Sequence, residues 1–457
     1  MRKFLFAILL TLAVSVFPAC GDNIPQGLPE RFFLGLASHP DELDWMVRSG
    51  IPWDARYYYF TGGVNTGGSW SVWYPDGNFA STYMESSARN GYLPVITYYQ
   101  MVKSKPAIGQ NEAEQDYNNL NNPETMSAYF ADFKLLMQKA KAFGKPVIVH
   151  VEPDLWGYMQ QRINGADNPS AVSAAVSSSG FKDVKGLPNN LVGFGRALIK
   201  LRDLYARNVI LATHASPWAT NFDVTTDKSA SLDVEGIAGR TARFLKATGN
   251  WDLVFADPAD RDAAYYEYVG KDKGGHWWDK SNQTYPNFAR FAQYLAKLSS
   301  ETGKRIVLWQ VPLGNTLMRS SNNAEGHYQD NRVEYFLEEQ PYRNVAQYAD
   351  VGVIGILFGR GAPGPTSYTD DAKDGVTNPP PVNGNDRRAA HADDDGGYLR
   401  TKATAYYAAG AYLLPGARSQ VSVDAAWFAP LIPLAMIGAG IWAWRRGYRL
   451  SISINRK

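Results

Sequence analysis

The run Val147-Ile-Val-His-Val-Glu-Pro-Asp-Leu-Trp156 places His150, Glu152 and Asp154 at alternate positions, so on an extended strand their side chains share one face. Carboxyls grouped with an imidazole are the equipment of general acid–base hydrolysis, in which one group gives a proton to a leaving oxygen and another takes one from water. Asp54, Arg56 and Tyr58 alternate in the same manner, and Tyr98, His214, Asp257, Trp309 and Gln310 stand at the ends of other apolar runs. The spacing predicts Glu152, Asp154 and Asp257 as the catalytic carboxyls. Glu152 is expected to be the acid, with His150 and Tyr58 shielding it from water, which raises a carboxyl pKa. Structural roles compete at each position. Glu152 could pair with Arg56, Asp154 could cap a helix starting near Leu155, Asp257 before Pro258 could open a turn, and His214 could be a hydrogen-bonded wall residue.

Such residues need elements that bring them together. Between residues 32 and 365 one phrase recurs: an amphipathic helical stretch, a Gly or Asn stop, then a short run rich in Val, Ile, Tyr or Trp. The pattern predicts strands at 32–38, 51–60, 93–100, 146–154, 208–216, 251–258, 305–312 and 352–359. Helices are expected at 125–143 with Gly144 as its stop, at 191–206, and at 287–302 before Gly303, with a closing helix at 398–414. Near-continuous apolar strands alternating with helices imply a parallel sheet covered by helices, and eight of them favour a closed, single (β/α)8 barrel of the TIM type. An open sheet would normally bring a Gly-rich turn after its first strand, and Leu36-Ala-Ser-His-Pro40 is not one. Long insertions at 61–79, 160–187 and 362–398 follow strands two, four and eight, and so project from the C-terminal face where barrels build their sites.

Aromatic residues make up 13% of the chain and gather at strand ends and in insertions, where water gives no packing reason to keep them. Rings of this kind stack on the apolar faces of sugars. The polar stretch 322–332 could bind hydroxyls. The expected substrate contacts are Asp54, Arg56, Tyr58, Tyr98, His150, Trp156, His214, Trp218, Trp309, Gln310, His327 and Asp330, with a polysaccharide as partner and neither metal nor cofactor. Two other readings stay open: a metal-dependent hydrolase with His150, Glu152, His214 and Asp257 as ligands, although only His39 stands near strand one, and a non-catalytic barrel that binds glycan.

The phrase Glu152-Pro153-Asp154-Leu155 resembles the Glu-Pro-Asp-Leu/Ser motif of family 6 cellulases, which implies a β-glucan-like substrate and an Asp among the carboxyls around the scissile bond. That family's Asp-Arg-Asp-Cys phrase has no counterpart here. The strand-four Glu-Pro is also similar to the retaining barrel glycosidases, whose strand four ends in Asn-Glu-Pro and whose strand seven ends in a nucleophilic Glu. Val151 replaces that Asn and Gln310 stands where the nucleophile would be. An amide cannot be the nucleophile, so inversion, with a water between acid and base, is the expectation.

The 457 residues carry a formal net charge of +2 with no basic block in the body of the chain, which excludes a nucleic-acid binder. Met1-Arg2-Lys3 and the apolar run to Phe17 predict a signal peptide over residues 1–20. Cys20, the only cysteine, stands where a lipoprotein signal would place its lipidated residue; simple cleavage is the alternative, and no internal disulfide is possible. The barrel is expected over 28–414, a linker over 415–425, and a transmembrane helix over 426–444, followed by a basic tail over 445–457. The positive-inside rule then puts the barrel outside the cytoplasm, exported and membrane-anchored at the cell envelope.

Overall fold

The computed structural model describes residues 24–40, 43–317, 328–359, 365–367, 373, 388–392 and 395–416. Eight strands close into a barrel: β1 (Phe33–Ala37), β2 (Ala55–Phe60), β3 (Leu93–Tyr98), β4 (Val147–Val151), β5 (Val209–His214), β6 (Leu253–Ala256), β7 (Ile306–Val311) and β8 (Val353–Phe358). Each pairs in parallel with its successor, and β8 returns to β1 through Phe33↔Gly355 and Leu36↔Phe358. β1, β4, β5, β6 and β8 are buried at every position, as strands covered by side chains inside and helices outside must be. The anticipated count, order and closure are all present.

The helices follow in order: α1 (Leu43–Arg48), α2 (Trp70–Trp73), α3 (Asn78–Arg89), α4 (Glu112–Leu120), α5 (Pro123–Phe143), α6 (Pro153–Arg162), α7 (Leu191–Tyr205), α8 (Val234–Thr248), α9 (Ala263–Tyr268), α10 (Phe288–Thr302), α11 (Arg332–Leu337), α12 (Arg343–Asp350) and α13 (Tyr398–Ala408). α5 begins on the Asn122 side chain, which accepts from the Thr125 N–H, and stops at Gly144 in the left-handed region. α10 starts on Asn287 and stops at Gly303 in the same way. α13 is shorter than expected, and the chain beyond it runs back to the barrel through the Leu414 N–H to the Glu30 carbonyl. After β8 a short antiparallel pair, β9 (Pro365–Ser367) and β10 (Arg388–Ala392), occupies an insertion for which no strand was expected.

Strand phase is the main correction. The alternation in β2 predicts Arg56 and Tyr58 inward, whereas both point out toward the helix layer. The Arg56 guanidinium bonds Ser86 and Ser87 on α3, and Tyr58 packs against Phe79, Tyr83 and His39. Asp54 precedes the strand, at the end away from the site, and accepts from Arg31 at 2.7 Å and from Tyr407 of α13 at 2.6 Å. Tyr98 likewise leaves the barrel and donates to Asp132 of α5 at 2.7 Å. A polar residue in this fold is satisfied as well by a helix behind the sheet as by substrate in front of it, and period-two spacing gives a face without saying which.

Residues 1–20 including Cys20, the span 426–444 and the tail 445–457 lie outside the described residues. Among the described residues no helix is long and apolar enough to cross a membrane.

Asp132 fastens the outer layer beneath the site. It accepts from Tyr98, from Trp70 Nε1 at 2.8 Å and from Ser69 Oγ at 3.2 Å. Replacing it by Ala strands these donors in a buried place, and we expect Asp132→Ala to lower unfolding free energy by about 3 kcal/mol, read as a fall of several degrees in calorimetric midpoint; an unchanged midpoint would refute the role.

Candidate active site

The inward residues of the upper barrel form an aromatic floor. Trp309 of β7 lies 6.2 Å from Tyr57 and 5.7 Å from Tyr59 of β2, and meets His150 edge-on at 4.9 Å. His150 of β4 stacks on Phe255 of β6 at 4.2 Å. Above this floor the C-terminal ends supply polar groups. The Tyr59 hydroxyl donates to Gln310 Oε1, whose own amide donates to the Asp260 carbonyl at 3.1 Å. Gln310 reaches this position because its backbone is left-handed (φ 55°) where the β7–β8 register slips, a bulge re-aiming a side chain at the rim. The Tyr99 hydroxyl donates to Glu112 on the first turn of α4.

Asp154 sits on the first turn of α6, partly exposed, with no hydrogen-bond partner among the described residues. Burial pushes its pKa up to about 8, helped by repulsion from Glu112, Asp257, Asp260 and Glu152. Asp257, just past β6, accepts from His214 Nε2 at 2.8 Å, and His214 Nδ1 meets His150 Nε2 at 3.1 Å. Burial and the neighbouring Asp257 also raise Asp260, which accepts from Tyr266. Two carboxyls, Asp154 unpartnered and Asp257 held by an imidazole, therefore face one mouth in different environments.

Of the residues proposed from sequence, the structure brings together Asp154, Asp257, His150, His214, Trp309 and Gln310, with Trp218 on the rim beside Tyr158 at 4.9 Å. Trp218 comes this close to α6 because residue 157 is Gly; a Cβ there would lie 2.7 Å from the indole. It does not bring Glu152 with them. Glu152 would point inward in phase with His150, but its left-handed backbone (φ 46°, ψ 69°) turns the carboxyl sideways behind the end of β3. There, 1% exposed, it accepts from the Gln100 N–H at 3.0 Å, the Met101 N–H at 3.2 Å and the Tyr129 hydroxyl at 2.9 Å. Arg56 is not its partner. Trp156 is buried between Phe194 and Trp251 and donates to the Val151 carbonyl. Asp330 is sealed in an ion pair with Arg332 at 2.6 Å. His327 lies outside the described residues.

The site also holds Tyr59, Tyr99, Tyr158, Glu112 and Asp260. Tyr59 and Tyr99 were visible among the aromatics but in the phase opposite to the one chosen; Glu112 lies on α4, whose polar sequence carries no signal toward the barrel. Among the described residues no three His, Cys, Asp or Glu side chains converge as metal ligands. The ligand set read from sequence is dispersed, with Glu152 turned away and His150, His214 and Asp257 strung in a line.

No protein-family model and no curated protein matches the chain. Solved structures share a coarse likeness. A modular endo-β-1,4-mannanase of glycoside hydrolase family 26 from Cellulomonas fimi aligns at TM-score 0.42 and 10% identity, over 85% of this chain and 74% of its own. A hyperthermostable endo-1,4-β-D-mannanase from Thermotoga petrophila aligns at 0.42 and 10%, over 82% and 99%. A family 1 β-glucosidase from Thermotoga maritima aligns at 0.40 and 10%, over 73% and 88%. The barrel assignment rests on the strand pairing above and not on these likenesses.

Burial raises Glu152 to about 8 against the pull of its three donors. A carboxyl that holds its proton more tightly when folded makes stability fall as pH rises from its unfolded value near 4.5 to about 8. We expect Glu152→Gln to flatten the slope of urea-derived stability in that window by up to about 1.4 kcal/mol per pH unit. An unchanged slope would mean that the carboxyl ionises as it does in the unfolded chain.

Proposed function

We propose that this protein hydrolyses glycosidic bonds of a polysaccharide, with Asp154 as general acid and Asp257 as general base. The observation that carries the reading is the divergence of these two carboxyls at one aromatic-lined mouth. Asp154, raised to about 8, holds a proton to give to the glycosidic oxygen at neutral pH. Asp257 is bonded on one oxygen by His214, and its other oxygen, which has no partner among the described residues, would take a proton from water. The two come from the ends of β4 and β6, two strand spacings apart, roughly 9–10 Å of backbone; this suits an acid and base with water between them, and so inversion. Gln310, an amide where a retaining enzyme would carry its nucleophile, favours the same outcome. Tyr99, Tyr158 and Trp218, each partly exposed, offer rings for sugar faces, and the Glu-Pro-Asp-Leu likeness makes β-glucans the first substrates to try.

We further propose that the barrel is exported and held at the membrane by 426–444, an uncharged apolar segment followed by Arg445, Arg446 and Arg449. The full chain is expected in the membrane fraction, released by detergent and not by salt, while a chain ending at Gly416 is expected in the soluble exported fraction. Salt release of the full chain would remove the anchor.

The catalytic test is reducing-sugar release by the detergent-solubilised full chain from β-glucans and β-mannan. Asp154→Asn and Asp257→Asn should each lose roughly 100- to 10,000-fold in kcat, the wild-type rate should fall above about pH 8, and products should appear with inverted anomeric configuration. An equal loss in Glu152→Gln with activity retained in Asp154→Asn would return the acid to the buried carboxyl. Binding without turnover would leave a glycan-binding barrel.

A further inference from the structure

We propose that His150 and His214 form a two-imidazole rod, running along the barrel wall from β4 to its neighbour β5, that fixes which proton His214 presents to Asp257 and so positions the base of the site. The inference rests on the hydrolase reading for its kinetic consequence, but not for the proton arrangement itself. His150 is 0% and His214 1% exposed, and both meet the edge or face of Trp309, while His150 stacks on Phe255. Nothing rotates freely in such a wall. His214 Nε2 is 2.8 Å from Asp257 Oδ1, His214 Nδ1 is 3.1 Å from His150 Nε2, and His150 Nδ1 is buried without a hydrogen-bond partner.

The proton count follows from this line. Asp257 as a carboxylate only accepts, so a neutral His214 carries its proton on Nε2, and its bare Nδ1 must then be met by a donor. Among the described residues the only polar atom bonded to it is His150 Nε2, so His150 carries its proton there, leaving Nδ1 bare at the end of the rod. In this arrangement every N–H is bonded. The opposite arrangement places the His150 proton on Nδ1, where a buried N–H has no acceptor among the described residues, at a cost that buried orphans always carry. It also turns the bare His214 Nε2 toward the Asp257 carboxylate, two lone-pair holders facing each other. Burial holds His150 well below the usual imidazole range, and any positive charge on His214 would only lower it further, which keeps it a one-proton group. Asp154 and Asp260 from the other rim elements, Tyr59 from β2 and Tyr294 from α10 are the titratable groups that share this field with Asp257; none of them bonds the rod. His150 is thus a positioning residue two hydrogen bonds removed from Asp257 and three from the reacting water, and a triad-like line of Asp, His and His is built entirely from adjacent strands β4, β5 and the end of β6.

The test separates the rod from the hydrolase reading. In the full chain in detergent micelles, labelled with 15N histidine, His214 and His150 should both show the Nε2–H tautomer at neutral pH. In His150→Phe, which keeps the ring packing but removes the donor, His214 should become a mixture of tautomers; in His150→Gln, whose amide can donate from the same place, it should stay fixed. On whichever glycan the wild type cleaves, His150→Phe should lose roughly 100-fold in kcat, the scale of a slightly misplaced catalytic group, with KM within about twofold and the loss recovered by His150→Gln to within about tenfold. A bare Nε2 on His214 in the wild type overturns the proposal whether or not the protein is a hydrolase. Equal kinetics in His150→Phe and His150→Gln would reduce His150 to a packing residue. A fixed tautomer in a protein that cleaves nothing would uphold the rod and remove only the hydrolase reading.

Discussion

At the end of β4 the chain must turn from strand to helix within two residues, and the Glu152 carboxyl is what holds that turn. Its backbone adopts a conformation that non-glycine residues avoid, and its side chain repays this by accepting from two consecutive N–H groups at the end of β3 and from Tyr129 of α5. Two neighbouring strands and the helix packed over them are tied through one buried group. Pro153 then begins α6 with its φ preset for a helix, and the next residue is delivered to the mouth. The position of Asp154 is therefore a consequence of where Glu152 is bound.

The inner face of the upper barrel is largely aromatic, and this sets the electrostatics above it. Aromatic walls leave little to solvate a carboxylate, so each acidic group at the mouth takes on whatever charge its neighbours allow. Asp154, with no donor and with acidic neighbours, keeps its proton; Asp257, with an imidazole N–H, is provided with the partner of a charged group. Environment alone gives two side chains of the same chemistry different surroundings at one mouth.

Much of this architecture is legible in the amino-acid order. Strand count, closure and the stops at Gly144 and Gly303 follow from periodicity and from the one residue type suited to a left-handed helix end. Orientation is less legible. Residues 54, 56 and 58 offer charge and hydroxyl in perfect alternation, yet the inner face belongs to Tyr57 and Tyr59, because Arg56 finds serine hydroxyls on α3 behind the sheet. Glu152 and Gln310 evade the alternation rule altogether: each sits at a positive φ that reverses the direction expected from its neighbours. Glu112 could not be found, since nothing in a polar segment of an unpredicted helix says that it returns to the mouth.

The helix α4 that carries Glu112 is an insertion in the connection between β3 and α5; the barrel would close without it. Yet Glu112 is the foremost charge repelling the ionised form of Asp154. Burial in the rigid scaffold does most to keep Asp154 protonated, and a segment that the scaffold does not need adds to it. Variation in one surface excursion can retune the acidity of the mouth while the interior stays untouched, so adaptation to a more acidic or more alkaline habitat is open to this chain without any change in its core.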